Sequence, residues 1–262
     1  MQGYDRLTLN GLTAWRQPGP RPVILQHGLC GAAPQPAEVF PQGQGFAHAV
    51  LEARGHGDSP LGPAELVSLA TFTDDLAALA QALRPGAVGG ISMGAAMALR
   101  LAVTRPDLVP ALILSRPAWI TSANPSNNAP NREVGALIAA GQPLAAFEAT
   151  ATARMLAREA PDNLASLRSF FSRAPLAETA TLLTRIAADG PGITRADVAA
   201  LRLPVLVMGS QEDMVHPMGH AETLAGLIPG ARLVELPPKG RDKAAHVAAC
   251  RSAILSFLKG LP

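Results

Sequence analysis

The sequence predicts an α/β fold, a mostly parallel sheet with helices on both faces and an inserted helical segment. Three observations carry this. Short, almost wholly apolar runs recur along the chain, at Pro22-Val23-Ile24-Leu25-Gln26, residues 111–115 and Pro204-Val205-Leu206-Val207-Met208. That is the pattern of parallel strands buried on both faces. Helix-period segments such as residues 71–83 alternate with these runs. Between residues 117 and 200 the alternation stops, and helical patterns follow one another with no strand signal.

Each element has its own reason. Residues 6–9 and 12–16 flank Asn10-Gly11, a strong hairpin signal, so two short antiparallel strands come first. The third strand, 22–26, runs into His27-Gly28-Leu29-Cys30-Gly31. Residues 32–45 are rich in Pro and Gly and read as loop, with at most one helical turn near 37–40. Residues 46–51 make a fourth strand ahead of Glu52-Ala53-Arg54-Gly55-His56-Gly57-Asp58-Ser59. In the helix over 71–83, Phe72, Leu76, Leu79 and Leu83 share the apolar face, and Asp74 and Asp75 sit in the first turn, where the helix dipole favours them. A fifth strand, 87–91, leads to a helix that ends at Arg105-Pro106-Asp107, and a sixth, 111–115, is followed by Arg116. Within the insertion, 122–131 reads as polar loop. Helices are expected at 133–140, 143–159, 161–172 and 175–188, with Pro143, Pro161 and Pro175 near three starts. A seventh strand at 204–208, a helix at 218–227, an eighth strand at 232–236 and a helix at 245–259 close the chain. Residues 1–116 and 200–262 thus form the sheet-bearing body, and 117–199 the insertion.

Composition narrows the function classes. With 262 residues the chain could hold one large domain or two small ones; 48% hydrophobic and 16% charged residues suit a well-filled core. A net charge of +2 gives no ground for a nucleic-acid or anionic-membrane partner. Apolar runs stay short of transmembrane length. Two cysteines, Cys30 and Cys250, make no disulfide framework, and the first residues lack a basic-then-apolar leader pattern. With no H-E-x-x-H or Cys/His cluster, neither a metal nor a cofactor is expected. The expectation is a cytoplasmic protein acting on a small molecule.

The stretch around which the rest is organised is Gly90-Ile91-Ser92-Met93-Gly94, a G-x-S-x-G between a strand and a helix. A sharp turn there strains the serine backbone, and glycines two residues either side avoid a clash. The serine oxygen then stands at a helix N-terminus, where partial positive charge favours an oxyanion. In open parallel sheets ligands bind beyond the carboxyl ends of strands. The polar residues at those ends are His27, Glu52, Arg54, Ser92, Arg116, Glu212, Asp213 and His246.

These stretches together resemble the α/β-hydrolase superfamily. The matching segments are His27-Gly28 after the third strand and Arg54-Gly55-His56-Gly57-Asp58-Ser59 after the fourth. The Ser92 turn follows the fifth, Gly209…Asp213…Pro217 the seventh, and His246 the eighth. The resemblance covers about residues 6–116 and 200–262. It implies a serine hydrolase whose helical cap is residues 117–199. Ser92 would be the nucleophile, His246 its base and Asp213 the acid that orients His246, and the N–H groups of Leu29 and Met93 would form the oxyanion hole. The acidic turn, Gly209-Ser210-Gln211-Glu212-Asp213, is one residue longer than usual, so Glu212 is the alternative acid; the D-x-x-x-P spacing to Pro217 favours Asp213. His27 and His56 match structural positions. His216 and His220 lie close in sequence to Asp213 and are expected at the surface or lip of the site rather than in the triad, and Cys30 is expected to pack. Arg116 is expected either to pair with Glu212 or to hold a substrate carboxylate. Phe40, Trp119, Phe147, Phe170 and Phe171 are the aromatic candidates for a substrate pocket. The implied reaction is cleavage of a carboxylic ester or lactone through an acyl-enzyme. Three readings stand beside it: a carbon–carbon bond hydrolase of the meta-cleavage type, a cofactor-free perhydrolase, and a ligand receptor on the same fold. Oligomeric state is not legible.

Overall fold

Strands β1 (Asp5–Leu9) and β2 (Leu12–Arg16) form the hairpin about Asn10 and Gly11, both at positive φ (51° and 79°). That pair of left-handed residues turns the chain with the twist of its strands. The computed structural model describes residues 1–261. Six further strands follow: β3 (Pro22–Gln26), β4 (Ala47–Leu51), β5 (Ala87–Ile91), β6 (Leu112–Ser115), β7 (Val205–Ser210) and β8 (Arg232–Leu236). They join the hairpin in one eight-stranded sheet of order β1-β2-β4-β3-β5-β6-β7-β8. β2 pairs antiparallel with β4, and from β4 to β8 every pairing is parallel.

From β3 onward each strand is followed by one or more helices. These are α1 (Pro34–Val39), α2 (Leu69–Leu83), α3 (Met93–Thr104), α4 (Ala129–Ala139), α5 (Leu144–Glu148), α6 (Ala151–Glu159), α7 (Pro161–Ser169), α8 (Leu176–Ala188), α9 (Arg195–Ala199), α10 (Met218–Leu227) and α11 (Lys243–Lys259). Because side chains alternate along a strand, the sheet feeds two cores. Ile24, Val88, Leu112, Leu114, Val205 and Val207 pack under α2, α3 and α10. Val23, Leu25, Ile113, Leu206 and Met208 pack on the other face with α1 and α11. Phe72 and Leu76 of α2 are wholly buried, each worth roughly 1.5–3 kcal/mol in area removed from water.

Between β6 and β7 no strand occurs. Helices α4 to α8 enclose a separate cluster, with Val134, Phe147, Leu156 and Leu183 fully buried. Leu182 and Ile186, on the other side of α8, join the main core and seat the insertion on the body. Two expectations change here. The single helix expected over 143–159 is two, because Thr150 caps α6 by accepting the Ala153 N–H at 3.1 Å. The unforeseen α9 starts from a capping box in which Thr194 and Asp197 each accept the other's backbone N–H.

Candidate active site

Ser92 sits between β5 and α3 at φ 55° and ψ −110°, the strained turn that the glycine spacing demands. A Cβ on Gly90 would run into the backbone of Gly94, and one on Gly94 would lie 2.6 Å from the Gln26 carbonyl oxygen. The turn therefore closes only with glycine at both places. Its reward is the position of the Ser92 hydroxyl, which projects into a cavity of about 230 Å³ at the carboxyl edge of the sheet.

The Ser92 Oγ is 2.9 Å from Nε2 of His216. Nδ1 of the same ring is 2.8 Å from Asp213 Oδ1 and 3.0 Å from Oδ2. A carboxylate only accepts, so Nδ1 carries the hydrogen, and Nε2 is left to accept from the serine hydroxyl. The structure thus brings Ser92 and Asp213 together as expected, but joins them through His216 and not His246. His246 lies in the first turn of α11, whose N-cap Asp242 accepts the Ala245 N–H. From there its Nδ1 donates to the Pro237 carbonyl at 2.8 Å, and the ring, 3% exposed, is no part of the cavity wall. The loop 237–242 between β8 and α11 contains no histidine. The expected surface place of His216 is corrected as well. The turn after β7 folds back so tightly that the His216 N–H also donates to Asp213 Oδ1, at 3.1 Å. Three residues of separation are then an advantage, not an obstacle.

The Asp213 carboxylate is held from several sides. Arg116, just past β6, brings Nη2 to 2.6 Å and Nε to 2.7 Å of Asp213 Oδ2. The expectation that Arg116 pairs with Glu212 is corrected: Glu212 turns outward and bonds Arg241. Arg116 also lies 3.5 Å from Asp162 at the start of α7, and Asp162 takes Lys239 at 2.9 Å. Its neighbour Asn163 donates to Asp213 Oδ1 at 2.9 Å and accepts the N–H groups of Met214 and Val215. Burial alone would push the Asp213 carboxyl up. His216, Arg116 and these hydrogen bonds outweigh it and hold the carboxyl well below the usual range, so it stays ionised. Burial lowers His216, Asp213 raises it, and Arg116, with Nη2 3.4 Å from Nδ1, lowers it again; the net direction is down. A neutral imidazole at rest is what a base requires.

A family model described as serine aminopeptidase, S33, matches residues 20–236. The chain belongs to this family of α/β hydrolases. The hydrolase is 28% identical over 235 residues to a protein named for carbamate hydrolysis, RutD of Klebsiella pneumoniae (strain 342), covering 84% of each chain. Among solved structures it is similar to the enol-lactonase from Burkholderia xenovorans LB400, with a TM-score of 0.67 and 24% identity over 97% of this chain and 100% of that one. It is also similar to MGS-M2, an alpha/beta hydrolase from a Medee basin deep-sea metagenome library, with a TM-score of 0.73 and 15% identity over 98% of both. Among the described residues of the hydrolase, no helix is long and apolar enough to cross a membrane.

The other residues singled out by sequence fall into two groups. Leu29 and Arg116 line the cavity beside Ser92, and Met93 opens α3, where its N–H has no intrahelical acceptor. Of the five expected pocket aromatics only Phe170 lines it; Phe40, Trp119, Phe147 and Phe171 do not. Phe40 is buried under the far face of the sheet, stacked on His48. Trp119 is locked in the main core with Nε1 donating to the Asp189 carbonyl at 2.9 Å. Phe147 sits in the core of the insertion against Phe171. Large apolar rings at these places gain more from packing than a small polar cavity offers. The walls come instead from Gln35, Asn131, Asn163, Ser166, Phe170 and Lys239. His27 and His56 brace the loop that carries Leu29: His27 Nε2 accepts the Ala53 N–H, and His56 Nε2 accepts the Cys30 N–H. Burial pushes the Cys30 thiol up to about 12, which leaves it without nucleophilic character at neutral pH.

Proposed function

We propose that the protein is a serine hydrolase that cleaves a small, polar carboxylic ester or lactone through an acyl-enzyme. Ser92 is the nucleophile, His216 the general base and Asp213 the acid that orients it. The single observation that supports this most is the unbroken line from Ser92 Oγ through His216 to Asp213, with both hydrogen bonds under 3 Å.

His216 Nε2 takes the Ser92 proton as Oγ bonds to the substrate carbonyl carbon. The oxyanion that forms meets the N–H groups of Leu29 and Met93, each such donor being worth about 3–4 kcal/mol. Collapse breaks the bond to the leaving alcohol, which receives the proton from the imidazolium. A water then attacks the acyl-serine, again through His216, and releases the acid and free Ser92. Residues 117–199 act as the cap, since Asn131, Asn163 and Phe170 close the cavity from that side. A carbamate is the second reading, favoured by the name of the 28% identical relative and by the polar cavity wall.

The test is a panel of small esters, lactones and carbamates with a fluorophosphonate label. Ser92→Ala should abolish labelling, and His216→Ala should lower turnover by about 10⁴–10⁶, as removal of a triad member does. His246→Gln should remain active. An inactive His246→Gln beside an active His216→Ala would overturn the assignment of the base.

A further inference from the structure

We propose that Asn163, carried by the insertion, is a positioning residue for the base, so that seating of α7 on the body sets the competence of His216. This rests on His216 being the base. Asn163 is 2% exposed, and its side chain spends every polar atom on one turn. Nδ2 donates to Asp213 Oδ1 at 2.9 Å, while Oδ1 accepts from the N–H of Met214 at 2.7 Å and of Val215 at 3.0 Å. These three bonds span the peptide from the acid to the residue before His216. The same Asp213 Oδ1 receives His216 Nδ1 at 2.8 Å and the His216 N–H at 3.1 Å.

The geometry has a direct consequence. Were the base on the loop after β8, a residue gripping the β7 turn would orient the acid alone. With acid and base three residues apart, one side chain fixes the position of both. Asn163 is also brought there from another part of the fold, fifty residues away in sequence. Asp162 beside it reinforces the seat through Lys239 at 2.9 Å and Arg116 at 3.5 Å, and Arg116 itself holds Asp213. When α7 is seated, the turn is held from both sides. When α7 lifts, Met214, Val215 and Asp213 lose partners together, and the Ser92–His216 bond loses its support.

The experiment compares Asn163→Ala, Asn163→Asp and Asn163→Ala/His216→Ala with the wild type and His216→Ala, on the best substrate of the panel. Asn163→Ala should lower kcat by about 10–100-fold, the scale seen when a supporting partner of a site ligand is lost. KM should change less than about threefold, and the fluorophosphonate labelling rate of Ser92 should fall in step with kcat. In the His216→Ala background the same substitution should have no further effect, because its route of action is gone. Asn163→Asp keeps the acceptor for both backbone N–H groups and loses the donor to Asp213; it should also lower kcat, and it carries the test if the alanine variant does not fold. Wild-type kcat in either folded Asn163 variant would overturn the proposal, with His216→Ala still inactive. A pure rise in KM would overturn it too, and would make Asn163 a substrate contact. An active His216→Ala would instead overturn the triad reading, and this inference with it.

Discussion

Lowering the pH from 7.5 to 5 should remove about 4 kcal/mol of stability through two buried histidines alone. His27 and His48 are 0% exposed, and burial pushes each down to about 4 from an ordinary value of 6.5. Their folded-state values lie below the unfolded ones, so the unfolded chain binds more protons over this range and stability falls as the pH is lowered. The loss begins near 6.5 and saturates near 4. At pH 5 an unfolded histidine is almost fully protonated and a folded one with a value near 4 is about a tenth protonated. The difference comes to about 2 kcal/mol for each, and is negligible at pH 7.5. Carboxylates barely titrate above pH 5, so the window isolates histidine. The other four, His56, His216, His220 and His246, are lowered too and add with the same sign. Against a typical domain stability of about 5–15 kcal/mol the effect is large. Urea unfolding at the two pH values measures it, and proton uptake on unfolding at pH 5 gives an independent check. A change under about 1 kcal/mol would refute the argument. The loss also reaches the site: His27 precedes the Leu29 loop, and His56 Nε2, once protonated, can no longer accept the Cys30 N–H.

Three further outcomes follow. Arg116→Gln removes a cation that disfavours the imidazolium, so the apparent value of His216 should rise and the acid limb of kcat/KM should move to higher pH; an unmoved or lowered limb would count against that electrostatic role. Asp213→Asn should abolish most activity, whereas Glu212→Gln, which only frees the outward Arg241, should leave kcat nearly unchanged; steady-state kinetics rank the two. Gly94→Ala places a Cβ 2.6 Å from the Gln26 oxygen and 2.7 Å from the His27 oxygen, so it should lower stability by about 1–3 kcal/mol and displace the strand leading to Leu29, visible as a lower Tm and slower Ser92 labelling.

The sheet was legible because its strands are buried on both faces and therefore nearly pure in apolar residues, as in Val205–Met208. The Ser92 turn was legible because steric demand leaves its glycines no substitutes. Asp213 followed from Pro217, which starts α10 at a set distance. Chain order and its place after β8 both recommended His246. What order does not reveal is that α11 begins at Lys243, so His246 is already wound into helix and bonded to Pro237. A signal for His216 existed, in the lack of any histidine among residues 237–242 together with the Asp213-Met214-Val215-His216-Pro217 run. The cavity wall was the least legible part. It is made by Asn163, Ser166 and Lys239, ordinary polar residues whose meaning comes only from where α7 lands. Large aromatics such as Phe40 and Trp119 attract attention in a sequence, yet they went to the cores.

The turn that follows β7 has one more consequence, for how such a site can change over time. On the function proposed above, acid and base occupy one short segment, residues 213–216, so exchanging that loop between related chains would transfer both proton-handling groups at once. The segment after β8 carries neither group; it bears on the site through Lys239, which lines the cavity and pairs with Asp162, while its Arg241 faces outward to Glu212.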